Sequence, residues 1–157
     1  MSQHATIAPV QRAVTVAAPP ERAFEVFTAG FASWWPSGHS LIEGGYDAAY
    51  IEPHEGGRWY ERGKTGAECV WGYVLVYEPP HRLLMSWLLD GEFEVDEDAS
   101  RATEVEVRFI PEADGTRVEL EHRGFERRDD GAKIAEEVGA EGGWGSLLEL
   151  YARAAAA

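Results

Sequence analysis

The sequence predicts an α+β fold in one domain, an antiparallel sheet of short strands entered through a short helix and closed by a C-terminal helix. Three observations carry this expectation. Strand-like runs broken by Gly and Pro turns fill the chain from Tyr50 to His122. Apolar residues recur at helical spacing in Trp144, Leu147, Leu148 and Tyr151. The 157 residues contain no repeat or linker and are enough for one well-buried core.

In chain order, Val10, Val14 and Val16 alternate with polar neighbours and suit a half-buried first strand, stopped by Pro19 and Pro20. Pro20 opens a short helix that places Ala23, Phe24 and Phe27 on one face, because proline is tolerated in a first turn. Gly30 ends it, and residues 31–35 add a helical turn before Pro36. After Gly56-Gly57, Arg58 to Arg62 reads as a strand, Gly63 to Gly66 as a turn, and Cys69 to Tyr77 as a second strand. Glu78-Pro79-Pro80-His81-Arg82 connects it to a third, Leu83 to Leu89. The Cys69 and Leu83 runs are apolar on both faces, which predicts the middle of the sheet with both faces covered.

The last hairpin is better defined. Val105, Val107 and Phe109 alternate with charged residues, as do Val118, Leu120 and His122 beyond Asp114-Gly115. Setting Phe109 opposite Val118 pairs Val105 with His122 and turns His122 inward, with Arg108 meeting Glu119 and Glu104 meeting Arg123 outside. The tail from Gly131 is helical in pattern, but Gly139, Gly142, Gly143 and Gly145 interrupt it. Either the helix breaks and restarts near Glu141, or bare backbone there allows a close approach to the sheet or a ligand.

Composition bounds function. Hydrophobic residues make up 45%, with six each of Trp, Tyr and Phe, and the formal charge is −14. That charge repels phosphate backbones and anionic membranes, so neither nucleic acid nor membrane is expected as a partner. The N-terminus has no signal-peptide pattern, which predicts a cytoplasmic location. The single Cys69 reads as a small core residue rather than a nucleophile. The acidic segment from Asp90 to Asp98 reads as a solvated loop, since it lacks the spacing of a calcium loop. No metal and no cofactor are expected, because the histidines show no ligand spacing with each other and no dinucleotide or phosphate-loop motif occurs.

Several motifs are shared with one family. They are Trp34-Trp35-Pro36; Glu52 with Gly56-Gly57-Arg58 and Glu61; Trp71-Gly72; and Pro79-Pro80-His81-Arg82-Leu83 with Trp87. Further on come Gly115-Thr116, His122-Arg123-Gly124-Phe125-Glu126 and Gly143-Trp144. On these residues, from about Val10 to Tyr151, the chain resembles the SRPBCC (START-like, birch-pollen-allergen-like) superfamily. Within it the chain is similar to the subfamily named after the C-terminal domain of the activator of the heat-shock-protein ATPase. The resemblance implies a helix-grip fold, a curved antiparallel sheet wrapped around a long C-terminal helix with an internal cavity for a small apolar or aromatic molecule.

Under that resemblance the candidate ligand-binding residues are Trp34, Trp35, His39, Glu61, Trp71, Trp87, His122, Phe125 and Trp144. Tryptophans wall a pocket with few polar atoms, and plain core packing is the alternative for each. His122 is read first as a buried neutral imidazole held by a neighbour, and second as an acid or base. Glu52, Arg58 and Glu61 read as an ion-pair network, with Glu61 as a proton carrier if it faces the cavity instead. Three functions follow: a carrier of a small hydrophobic or aromatic ligand; a cyclase- or dehydratase-type enzyme using His122 or Glu61; or a module regulating a chaperone ATPase. A homodimer is one assembly the sequence allows.

Overall fold

The computed structural model describes residues 7–36 and 45–156. Seven strands form one antiparallel sheet: β1 (Val10–Val16), β2 (Tyr46–Ile51), β3 (Arg58–Gly63), β4 (Glu68–Glu78), β5 (Arg82–Trp87), β6 (Thr103–Glu112) and β7 (Gly115–Arg123). The order across the sheet is β1-β7-β6-β5-β4-β3-β2, so β2 to β7 run as a meander and β1 returns to pair beside β7. Three α-helices accompany the sheet among the described residues: α1 (Pro20–Phe27), α2 (Gly131–Gly139) and α3 (Trp144–Ala156).

The β6–β7 hairpin follows its apolar alternation, with Phe109 opposite Val118, Val107 opposite Leu120 and Val105 opposite His122. All six side chains are buried. On the outer face Arg123 reaches Glu104 at 3.5 Å, but Arg108 bonds Glu106 at 3.4 Å and Arg117 bonds Glu119 at 2.9 Å, so two ion pairs run along strands rather than across them. Glu106 sits at the centre of this network. Burial opposes its ionisation, yet Arg82 and Arg123 hold its carboxyl down at about 2.

β5 is the central strand and is covered on both faces from Leu83 to Trp87, as its sequence predicts. β4 departs from that expectation. Tyr73 and Leu75 on its outer face stay 42% and 40% exposed, as no element among the described residues packs behind the sheet there. Register shifts at Tyr46/Ala48, Trp59/Tyr60 and Val74/Val76 bend the β2–β5 half and curl the sheet into a half-barrel. Gly72 lies on the inside of that bend. A Cβ there would stand 1.8 Å from the Ser86 carbonyl oxygen, so no other residue fits.

Inside the curl, α1 and α3 supply the apolar faces that cover the sheet. Phe24 and Phe27 meet Phe109 edge-on at 5.0 and 5.9 Å, and Phe27 meets Tyr151 at 5.1 Å. The Tyr151 hydroxyl donates to the Ala23 carbonyl at 2.6 Å and ties α3 to α1. The C-terminal helical pattern is two helices, not one. Gly142 takes a left-handed φ of +87°, and a Cβ on Gly143 would lie 2.2 Å from the Val138 carbonyl, so the glycines make the break. Arg12 donates to the exposed carbonyl of Gly139 at 2.7 Å at the end of α2. The gripping helix is therefore the 13-residue α3. No helix among the described residues is long and apolar enough to cross a membrane.

Candidate ligand pocket

Strand alternation gathers Trp59 and Trp87, and the register shift that leaves Trp71 as the extra residue of β4 turns it to the same side. Trp59, Trp71 and Trp87 project from β3, β4 and β5 onto the same inner face, and Trp144 comes down on them as the first residue of α3. Trp59 is the hub, with ring centroids 5.9 Å from Trp71, 5.4 Å from Trp87 and 6.4 Å from Trp144. Trp35, beyond the 3-10 turn Phe31–Ser33, stands 5.2 Å from Trp71. These rings fill most of the space between sheet and helix. What remains is a pocket of about 70 Å³, lined by Trp35, Trp71, Trp87, Trp144, Leu89, Phe93, Glu137, Val138, Leu147 and the Gly142-Gly143 backbone.

The polar atoms near this pocket are unevenly satisfied. Trp34 donates to the Val26 carbonyl at 3.0 Å and Trp144 donates to His122 Nδ1 at 3.1 Å. The buried indole N–H groups of Trp59, Trp71 and Trp87 have no hydrogen-bond partner among the described residues, although the Cys69 sulfur lies near Trp71. Glu137 Oε2 is buried and unpartnered in the same way. Each such group forfeits about 1–3 kcal/mol of solvation without a bond in return.

His122 is held at both nitrogens. An indole N–H can only donate, so Nδ1 accepts from Trp144, and the ring proton lies on Nε2, 2.8 Å from Thr103 Oγ1. Burial pushes its pKa down to about 3, so the imidazole is neutral. The arrangement is that of a buried neutral imidazole held by its neighbours, and protonating Nδ1 would set two N–H groups against each other. Phe125 packs on the far side of the ring at 4.8 Å.

The remaining expected site residues fall elsewhere. Trp34 faces Phe27 and Tyr151 in the core at 5.2 and 5.4 Å. Glu61 alternates with Trp59 and is fully buried on the inner face, opposite Ala49 and Cys69, but outside the pocket lining. It is thus on the opposite side of β3 from Arg58, which pairs with Glu52 at 3.2 Å and Glu68 at 3.0 Å, so the expected network forms without Glu61. Cys69 is half-buried, and burial, then the Glu61 charge, raises its thiol pKa, the opposite of a reactive cysteine. His39 lies outside the described residues. No cluster of three or more His, Cys, Asp or Glu able to hold a metal occurs among the described residues.

Phe93 and Glu137 line the pocket without having been expected from the sequence, and Trp59, the hub of the ring cluster behind it, was not expected either. Trp59 shares the inner-face parity of Glu61 and could have been found from it. Phe93 lies in the acidic segment, whose Glu92, Glu94, Glu97 and Asp98 are exposed as expected of a solvated loop, but the loop is anchored at its base. Leu89 bridges Val95, and the Asp90 carboxylate accepts from the backbone N–H of Glu92 and Glu94 at 2.8 and 3.0 Å. The buried Arg128 grips Asp96 at 2.9 Å and Asp130 at 2.7 Å, and Asp130 accepts from the Gly91 N–H at 2.8 Å.

A larger hollow of about 340 Å³ lies on the outer face of the sheet. Its floor is the ion-paired surface of Glu106, Arg108, Arg117 and Glu119, whose charges already satisfy one another. The inner pocket, with its aromatic walls and unpaired polar atoms, is the better site.

A curled seven-stranded antiparallel sheet closed on a C-terminal helix defines an SRPBCC-type helix-grip domain. Residues 17–154 match the model of the Activator of Hsp90 ATPase homolog 1-like protein family, and the chain belongs to that family. No curated protein matches it. Among solved structures, it is 42% identical to the anthrahydroquino-gamma-pyrone synthase Txn09, complexed with SUM, over 94% of this chain and 97% of that one, with a TM-score of 0.65. It is 30% identical to CalC, a self-sacrificing resistance protein from Micromonospora echinospora, over 94% and 93% of the two chains at a TM-score of 0.68. Protein MLL2253 from Mesorhizobium loti, 22% identical over 93% and 95% at a TM-score of 0.64, shares the fold.

Proposed function

We propose that this protein binds a planar aromatic molecule bearing hydroxyl and carbonyl groups in the pocket between β3–β5 and α3. The observation that carries the reading is a mismatch at the pocket: rings form its wall, yet the indole N–H groups of Trp71 and Trp87 and one Glu137 oxygen are buried without a hydrogen-bond partner among the described residues, the Cys69 sulfur near Trp71 aside. A carbonyl oxygen satisfies an indole N–H, a hydroxyl satisfies Glu137, and a flat ring system stacks on the tryptophans. A purely aliphatic ligand leaves all three polar atoms unpaired. The 42% identity to a synthase named for an anthrahydroquinone supports the same ligand class.

That identity also favours a second reading, a cyclase acting on such a molecule. In it Glu137, not His122, is the group placed to take a proton from a ligand hydroxyl, because both His122 nitrogens are occupied. Regulation of a chaperone ATPase rests on the family's name and draws nothing from the pocket.

The test is a titration with 1,8-dihydroxyanthraquinone followed by tryptophan fluorescence, with anthracene as the same ring system without oxygens. Saturable quenching is expected at one equivalent, with anthracene weaker by roughly tenfold, the worth of one good hydrogen bond. Absence of quenching, or equal affinity for anthracene, contradicts the proposal.

A further inference from the structure

Phe93 breaks a local rule. It is the one non-glycine residue with positive φ among the described residues, at +58°, and a bulky side chain is disfavoured in that left-handed region. It ends a tight turn: the Phe93 N–H donates to the Asp90 carbonyl at 3.0 Å, and the Asp90 N–H donates to the Glu94 carbonyl at 2.8 Å. At such a position in a short hairpin glycine is preferred, because it carries no Cβ. Core packing does not explain the exception either, since Phe93 is 40% exposed. Its ring does line the pocket.

The second observation is size. A pocket of about 70 Å³ is well below the roughly 300 Å³ at which ordinary ligand sites begin, so a wall must move for a tricyclic molecule to enter. Trp35, Trp71, Trp87 and Trp144 are each no more than 6% exposed and interlocked with other rings. Phe93 is the exposed ring of the wall, 40% accessible, while the other lining positions that solvent reaches, Glu137 and Gly142-Gly143, carry no ring. The turn holding it is fastened from behind by Arg128 and Asp130, so its base stays fixed while the side chain rotates.

Resting on the ligand reading above, we infer that Phe93 is a ligand-contacting and size-selecting residue. It swings from the mouth to admit a flat ring system and then stacks on its outer face, opposite the tryptophans. Strained backbone retained at a position that stays 40% exposed is what a binding contact leaves behind.

The test compares wild type with Phe93→Gly, Phe93→Asn and Phe93→Tyr, measuring the urea midpoint and the affinity for 1,8-dihydroxyanthraquinone. Phe93→Gly and Phe93→Asn relieve the backbone and are expected to raise the midpoint while weakening binding by roughly tenfold. Phe93→Tyr keeps the ring and is expected to retain wild-type affinity. If the wild type binds and Phe93→Gly binds equally well, or Phe93→Tyr loses affinity as Phe93→Gly does, the inference is overturned while the ligand reading stands. A fall in midpoint for Phe93→Gly also overturns it. A wild type that binds none of the aromatic probes overturns the ligand reading, and this inference with it.

Discussion

Replacing His122 with Ala is expected to lower folding stability by about 3–4 kcal/mol, measured as a shift in the urea midpoint. The imidazole is fully buried, so its removal opens a cavity and also orphans the Trp144 N–H and the Thr103 hydroxyl. The same site sets a pH dependence. Unfolded histidine takes up a proton below about 6.5, whereas burial keeps the native ring neutral down to about 3. Between those values the unfolded state binds more protons, so stability falls as pH falls, by about 1.4 kcal/mol per unit, and is fully present above pH 6.5. Glu106, held at about 2 against its ordinary 4.5, adds to the loss only below about pH 4.5. The interval from pH 6.5 to 5 therefore isolates His122. Its Gln variant, which still offers an acceptor to Trp144, is expected to show a flat profile there; an unchanged slope would contradict the assignment.

Trp59→Ala is expected to cost about 3–5 kcal/mol or abolish folding, because the ring is fully buried and joins Phe31, Trp71, Trp87 and Trp144. Trp59→Phe behaves differently. It shrinks the ring but also removes a buried N–H that has no partner among the described residues, and the two effects offset to within about 1.5 kcal/mol. Trp34→Phe supplies the contrast, since its N–H is bonded to Val26 and the change leaves that carbonyl short of a partner. Thermal unfolding of the three variants checks the order, and a Trp59→Phe cost above that of Trp34→Phe would show that the Trp59 N–H is well satisfied.

Much of the fold was legible because local chemistry and tertiary packing agree. Pro20 starts α1 where its ring demands a first-turn position, and the Phe109–Val118 register follows from parity alone. His122 was placed inward on the same ground, and of the two readings of the glycines before Trp144 the break is the one that forms. The site was only partly legible. Trp35, Trp71, Trp87 and Trp144 line the pocket, but Trp34 and Phe125 are core, and Glu61 is buried apart from it. Periodicity cannot tell a ring that fills a core from one that walls a hollow, since both face inward. Phe93 and Glu137 were invisible for another reason. One reaches the pocket from a charged turn and the other from the face of α2, so neither carries an apolar pattern that marks it.

The most direct measurement of the central claim is a proton–nitrogen correlation spectrum of the six indole N–H groups, recorded as 1,8-dihydroxyanthraquinone is added. The account predicts that the Trp71 and Trp87 resonances move downfield as they gain a carbonyl partner, while Trp34, already bonded to Val26, stays in place. A Trp34 shift with Trp71 and Trp87 unmoved, or no shift at a saturating concentration, would contradict it.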